Sequence, residues 1–351
     1  MKEIRLVDVG ETPALRSHAL YHAVRIGPGA DQPDTVVVSV PTSQYVSLGL
    51  YQRVSKYTDA EFCRRRDVGV YRREIGGGAY VRGPGNLLFQ TVFHKERSAK
   101  SATRVYQEVL KVAVETYRAF GVDAHYLPMS DICVRESRIS AGSLGNLDHS
   151  VVLACAISYA ADPDLERRAL RGLSRKSTSM ELELGAAPDR AVVKAKLLEN
   201  IERTFDARLV PASLSDEEGR NLERLEATFD SPEWTESADR RVASVAARTG
   251  RGGVRVAEAI HTTEGNITIC ATVARRGQTI EDVALTGDFF FYKDHLPELE
   301  RSFCGARTEW DALMTIAENF YLIHEVDSPG TAPADWVNAI FGASETQNGK
   351  A

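Results

Sequence analysis

The chain is short of cysteine. It has five in 351 residues (Cys63, Cys133, Cys155, Cys270 and Cys304), odd in number and widely scattered. No Cys-x-x-Cys pair occurs, which argues against a zinc ribbon or a disulfide framework, and reduced thiols fit a cytosolic protein. No apolar run reaches the roughly 18 residues of a membrane helix. The N-terminal stretch MKEIRLVDVGETPALRSHALY has no apolar segment of the kind a signal peptide carries. Positive charge is not in excess: 43 Lys and Arg stand against 49 Asp and Glu, for a net charge of -6 and a pI near 5.8. That balance speaks against attraction to nucleic acid over the whole surface. Internal repeats and low-complexity tracts are absent. What remains is an ordinary globular composition, 43% hydrophobic and 26% charged, with length for two domains and a sizeable core.

Periodicity divides the chain. Thr12-Pro13 starts a helix through Val24, and the β-branched run DTVVVSV (Asp34 to Val40) predicts a buried strand. NLLFQTVF (Asn86 to Phe93) is another strand, and Ser101 to Gly121 is the clearest amphipathic helix, with Gly121 as its stop. Strands follow at Asp131–Val134, around Arg138–Ser143 and at Val151–Ala156. SRKSTSMELELGAA is polar and predicts a surface loop, APDRAVVKAKLLENIERTFD a helix, and SLSDEEGRNLERLEATFDSPEW a helix behind a capping pattern. Composition shifts near Ala247 to Gly253. Beyond it, alternating strands and two helices predict a small α+β domain over 253–345, after an α/β domain over 1–245 with a mixed sheet and flanking helices. The tail SETQNGKA reads as unstructured.

One stretch stands apart: YRREIGGGAYVRGPGN, Tyr71 to Asn86. Each structured glycine costs about 0.5–1 kcal/mol against alanine, so three in a row predict a close approach to the backbone. The run fits neither the P-loop nor the dinucleotide fingerprint. A strand, a glycine loop and a second strand, with arginines alongside, suit a phosphate or an adenylate.

Here the sequence resembles the lipoate-protein ligase A family of the biotin/lipoate A/B ligase superfamily. VSLGLYQ (Val46 to Gln52) is similar to a family strand ending in Gly-Arg-x-Gln. RREIGGGAYVRGPGNLLF (Arg72 to Phe89) is similar to the signature of two arginines, three glycines and a later Gly-Asn. SDICVRESRISAGS (Ser130 to Ser143) resembles the Asn-Asp strand with its Lys-Ile-Ser-Gly, and DHSVVLACAIS (Asp148 to Ser158) the His-Gly strand behind it. LTGDFFFY is similar to part of the small C-terminal accessory domain.

The resemblance implies a ligase that activates lipoate or a related medium-chain acid as acyl-AMP, with ATP and Mg2+, and passes it to a carrier-domain lysine. Carriers would be the acyltransferase subunit of a 2-oxoacid dehydrogenase or the glycine cleavage H protein; neither nucleic acid nor membrane is implied, and the setting is cytoplasmic. It implies that Arg73, Gly76, Gly77, Gly78, Ala79, Tyr80, Val81, Asn86 and Asp131 hold the nucleotide. Arg72, Arg138 and His149 would meet the acyl substrate, with VSLG and NLLF as apolar lining. Arg138 carries the catalytic role, since it occupies the place of the family lysine.

Four positions depart from the pattern: Ile75 replaces a serine or threonine, Arg82-Gly83 replaces His-Asp, and Arg138 replaces the lysine. Arginine keeps a permanent charge and grips phosphate through a planar fork, not as a point charge. The departures leave two further readings: a non-catalytic binding or assembly protein on the same fold, or an octanoyl or lipoyl transferase that needs no ATP. Relatives of the last kind use a cysteine nucleophile, and the segment before Ser130 offers His125 and no cysteine.

Overall fold

A computed structural model describes residues 2–27, 32–96, 98, 101–172 and 175–345. In chain order the elements are β1 (Lys2–Thr12), α1 (Ala14–Ala23), β2 (Thr35–Pro41), β3 (Tyr45–Leu48), α2 (Val54–Tyr57), α3 (Ala60–Arg65), β4 (Gly69–Arg72), β5 (Tyr80–Arg82), β6 (Asn86–His94), α4 (Ala102–Ala119), β7 (His125–Leu127), β8 (Asp131–Val134), β9 (Ser137–Ala141), β10 (Ser143–Leu147) and β11 (Ser150–Ser158). Then come α5 (Pro163–Ala169), α6 (Met180–Leu184), α7 (Arg190–Phe205), β12 (Ala207–Pro211), α8 (Asp216–Phe229), α9 (Pro232–Thr235), α10 (Ser237–Ala246), β13 (Val254–Thr262), β14 (Thr268–Arg276), β15 (Thr279–Gly287), α11 (His295–Ser302), α12 (Trp310–Ile323) and α13 (Pro333–Glu345).

The long apolar strands pair as a six-stranded mixed sheet in the order β10-β11-β6-β2-β1-β12. β1 runs parallel to β2 and β12, and the other pairings are antiparallel. Alternate residues feed opposite faces, as strand geometry requires. Val36, Val38, Leu87, Phe89, Leu153 and Ile157 pack under α4 and α7. Val37, Val92 and Val152 pack under α1 and α8. The layers are helix, sheet, helix, the α/β domain read from the sequence.

Local chemistry sets the helix ends. The Ser101 hydroxyl accepts the Arg104 N–H at 3.3 Å at the start of α4, and Gly121 ends that helix region at φ +85°. At α8 the capping box is complete. Ser215 Oγ accepts from Glu218 N at 3.2 Å, and Glu218 Oε2 accepts from Ser215 N at 2.7 Å. Glu218 is also clamped by Arg5.

Several segments differ from the sequence reading: α10 is not among the expected elements, and α13 adds a third helix to the two expected in the C-terminal domain. The polar stretch taken as a loop contains α6: Ser179 caps it, Met180 is fully buried beneath it, and Gly185 ends it at φ +79°. Ser174, the first residue of that stretch, lies outside the described residues. The single middle strand is two, β9 and β10, divided at Gly142. A Cβ on Gly142 would meet the Leu110 side chain at 3.0 Å. Of the tail, Ser344 and Glu345 end α13, and 346–351 lie outside the described residues.

The C-terminal α+β domain is an antiparallel sheet, β13-β14-β15, covered by α12 and α13 and flanked by α11. Helix α10 packs on this sheet through Val245, beside Val254, Ala274 and Ala284, and through Arg241, which pairs with Asp282 at 2.8 Å and Glu300 at 3.2 Å. Tyr51 of the large domain stacks on Phe289 at 4.8 Å and donates to the Phe291 carbonyl at 3.0 Å. The two domains thus share a stretch of core. No helix of the described residues is long and apolar enough to cross a membrane.

Candidate active site

Two three-stranded sheets, β4-β3-β5 and β7-β8-β9, stand beside the main sheet. The glycine loop joins β4 to β5, and its shape comes from Arg73. That guanidinium, 3% exposed, donates to Gly76 O at 3.1 Å and Gly78 O at 2.9 Å from one arm. The other arm reaches Ser47 O at 2.8 Å and Ser47 Oγ at 3.0 Å. Burial lowers its pKa from the ordinary arginine value.

The three glycines do different work. Gly76 lies so close to the segment that follows β15 that a Cβ would sit 2.4 Å from Phe289 O. Gly77 adopts φ +90° and donates to Phe289 O at 3.0 Å. Only Gly78 faces open space; a Cβ there would find nothing nearer than the Tyr80 hydroxyl at 3.8 Å. So two of the glycines serve contact with the C-terminal domain, and the third leaves room for something else.

Two cavities open beside the loop. The first, about 320 Å³, is lined by Arg82, Asn86, Arg138, Ser140, Ser158 and Glu166, among others. The second, about 290 Å³, is lined by Gly77, Gly78, Asp131, Arg138, Arg175 and Asp288, among others. Tyr80 and Arg138 border both. The Tyr80 ring gathers three guanidiniums, with Arg82 at 4.7 Å, Arg138 at 5.4 Å and Arg73 at 5.5 Å from its centroid.

Arg138 projects from β9 and donates to Glu166 Oε1 at 3.0 Å, near the start of α5. Ser177 Oγ donates to the other carboxylate oxygen. Burial alone would lower the Arg138 pKa, but the Glu166 and Asp131 carboxylates hold it above the ordinary value. Asn86 braces the wall: its Oδ1 accepts from Gly83 N at 2.9 Å and its Nδ2 donates to Ser158 Oγ at 3.2 Å. Across the second cavity, burial raises the Asp131 carboxyl, with Arg138 and Arg175 opposing. Burial lifts Asp288 to about 6, against the hydrogen bond from Thr268 N and with the Asp131 charge adding to the rise.

The structure brings Gly77, Gly78, Tyr80, Val81, Asn86, Asp131 and Arg138 to these two cavities. Gly76 and Ala79 belong to the loop but line neither. Arg73 sits behind the loop on a small chamber of about 30 Å³. Two further residues lie elsewhere. Arg72 is fully buried and donates to the carbonyls of Gly49, Leu50, Trp234 and Thr235 at 2.6–3.1 Å. Burial lowers its pKa to about 10. Arg72 is a brace between β4, α9 and the turn after β3. His149 is exposed in the turn between β10 and β11, with its ring 6.5 Å from that of His94.

The apolar lining expected from VSLG and NLLF is core instead. Val46 and Leu48 pack against Phe62 and Leu165, and Leu87 and Phe89 pack under α4. Ser47 and Leu88 reach the small chamber, whose other walls include His18, Tyr21, Tyr45 and Gln90. The Tyr21 hydroxyl, Arg73 Nε and Gln90 Oε1 there have no hydrogen-bond partner among the described residues. This chamber is therefore polar.

Sequence reasoning missed Glu166, Arg175 and Asp288. Glu166 lies in DPDLERRAL, which carries a helix-start signal and nothing more. Asp288 lies within LTGDFFFY, which the resemblance assigned to the accessory domain. Only the folded topology brings them to the cavities.

A sandwiched mixed sheet, a strand–glycine loop–strand over a cationic cleft, and a small C-terminal domain define a ligase fold of the biotin/lipoate type. Residues 17–202, more than half of the chain, match the lipoyl protein ligase A/B catalytic domain, and the chain belongs to that family. The family is one of lipoylation enzymes, ligases and transferases. The chain is 25% identical over 274 residues to octanoyltransferase LipM of Geobacillus kaustophilus, covering 66% of this chain and 98% of that protein. Lipoate-protein ligase A bound with ATP superposes with a TM-score of 0.60 at 18% identity, covering 68% of this chain and 100% of that one. LipL1 of P. falciparum in complex with lipoate superposes with a TM-score of 0.68 at 10% identity, covering 90% of this chain and 94% of that one. That broader match takes in at least part of the C-terminal domain. These two likenesses concern the fold.

Proposed function

We propose that this chain is an acyl-adenylate-forming ligase. It activates lipoate or a related acid with ATP and transfers the acyl group to a lysine of a lipoyl carrier domain. In the first step a carboxylate oxygen of the acid attacks the α-phosphorus. A P–O bond forms there, the bond to the β-phosphate oxygen breaks, and pyrophosphate leaves. In the second step the lysine amine attacks the acyl carbonyl, AMP leaves, and the amine loses a proton to water.

Both steps concentrate negative charge. Preorganised cations and amides that meet developing charge are the main resource for such chemistry. The observation that carries the reading is the position of Arg138, on the wall between two cavities beside Gly77 and Gly78, with Arg82 close by. We assign Arg138 to the phosphate and acyl carbonyl, and the Gly78 backbone and Arg82 to the nucleotide. Asn86 holds the wall. Arg73 acts by shaping the loop. Asp131 and Asp288 are oxygen donors of the kind Mg2+ takes, and burial together with mutual repulsion disfavours their shared ionisation, which a cation would relieve. Bound there, Mg2+ would supply screening of the phosphate charge.

The similarity to LipM raises a transferase reading, and the thiols weigh on it. A cysteine nucleophile is activated by a lowered pKa in an electropositive, partly open site. Cys133 and Cys155 are buried, and burial raises both thiols. No cysteine among the described residues lines either large cavity. The test is the mass of a lipoyl domain after incubation with the enzyme. Lipoylation that requires lipoate, ATP and Mg2+ together supports the ligase. Octanoylation from an acyl carrier without ATP supports the transferase instead.

A further inference from the structure

Away from the cleft, two helix ends of the C-terminal domain place three metal-ligating side chains together. His295 opens α11, and Glu298 follows three residues later, so both stand on one face of that helix. His324 is the C-cap of α12. One ligand atom from each lies within 4.8 Å of the other two, and all three residues are half-buried. His324 Nδ1 is 3.8 Å from Glu298 Oε2, and the two imidazole rings are 4.9 Å apart.

Neighbouring aromatic rings hold both imidazoles in place. Phe320 stacks on His324 at 4.2 Å, and Tyr292 lies 5.2 Å from His295. His295 Nδ1 is buried and has no hydrogen-bond partner among the described residues. A buried nitrogen left unpaired is costly, and a metal bond would satisfy such an atom. Burial and the neighbouring His324 lower the His295 pKa. Lys95 adds to that effect, while Glu298 and Asp294 oppose it. The two acids also offset the Lys95 charge for an incoming cation. His295 and His324 border a cavity of about 390 Å³ shared with Arg25, Asn146 and Asp148 of the large domain, which gives an entry path.

We propose that His295, Glu298 and His324 form a binding site for a first-row divalent transition metal, zinc foremost. Two imidazoles and one carboxylate are a zinc donor set that leaves a coordination position open. The ion pins the start of α11 to the end of α12 at the rim of the interdomain cavity. The site is independent of the acyl-transfer cleft and of how that cleft is used.

The test uses the full chain, treated with chelator and carrying Cys304→Ser, because Cys304 is an exposed thiol that would compete for metal. Zinc chloride is titrated calorimetrically, and cobalt chloride is followed by its visible absorption. The expected result is one equivalent of metal, an intense tetrahedral cobalt spectrum, and a thermal midpoint that rises with zinc. His295→Gln, His324→Gln and Glu298→Gln should each weaken binding at least tenfold and abolish the zinc-dependent rise, with the far-UV spectrum of the fold retained. A full equivalent bound unchanged by the His295→Gln/His324→Gln double variant overturns the proposal, and so does no binding at micromolar zinc.

Discussion

Arg138 donates to Glu166 Oε1 at 3.0 Å, and the two side chains are almost equally enclosed, 13% and 14% exposed. An arginine with one arm fixed to a carboxylate has lost most of its rotamer freedom and presents its remaining N–H groups in a set direction. The guanidinium is thus aimed by its partner.

Arg138→Ala should lower acid-dependent ATP–pyrophosphate exchange by about 100-fold or more, the usual effect of deleting one preorganised charge donor. Arg138→Lys should recover part of that loss, because charge returns but the fork and its tether do not. Glu166→Gln should fall between wild type and Arg138→Ala. The measurement is initial exchange rate across the four proteins, with thermal midpoints as a check on folding.

Arg72 should behave differently. Replacing it by Ala strands the Leu50 and Thr235 carbonyls and leaves those of Gly49 and Trp234 with only their backbone donors. A loss of roughly 2 kcal/mol or more is expected, since each buried unpaired group costs about 1–3 kcal/mol. Denaturant unfolding should record this loss, while the KM values of the protein that remains folded stay close to wild type.

The glycines give a finer contrast. Gly76→Ala forces a methyl toward Phe289 O, 2.4 Å from an ideal Cβ, and should cost roughly 1–3 kcal/mol as overpacking does. Gly78→Ala has open space and should leave stability within about 0.5 kcal/mol of wild type. Its methyl enters the second cavity, so the KM for ATP should rise. Unfolding curves and exchange kinetics on the two variants read the two effects separately.

Asp288 predicts a pH dependence. Its carboxyl is raised from 3.8 to about 6, so the folded state takes its proton more readily than the unfolded chain does. The stabilising contribution is complete below about pH 4 and is lost as pH rises through 6, for at most about 3 kcal/mol. His22, lowered to about 4 by burial, works in the opposite sense across the same window. The difference between wild type and Asp288→Asn isolates the carboxyl. Wild-type stability relative to the variant should fall between pH 4 and 6.5, as followed by denaturant unfolding.

Much of the fold was legible because its signals are local. Ser101 and Gly121 bound a helix with an evident apolar face, Ser215 and Glu218 spell a capping box, and DTVVVSV alternates into two buried faces. The glycine loop was legible as a unit. Its internal division of labour was not. The closeness of Phe289 to Gly76 spans more than two hundred residues and depends on how the C-terminal domain docks. The same holds for Arg72: Ser231-Pro232 signals the start of the helix that carries its carbonyl partners Trp234 and Thr235, but nothing local places that helix against β4. Within the cleft, Glu166 and Asp288 are ordinary acids in sequence and become site residues only through topology. His295 and His324 are separated by most of α11 and α12 and meet only because those helices fold back on each other.

The account stands most directly on isotope exchange between pyrophosphate and ATP by the wild-type protein with Mg2+, run with lipoate, octanoate, biotin or no acid. It predicts exchange that appears only when lipoate or a related acid is present and collapses in Arg138→Ala. Absence of exchange with every acid, from folded protein at millimolar ATP, would contradict adenylation and return the fold to transfer or binding.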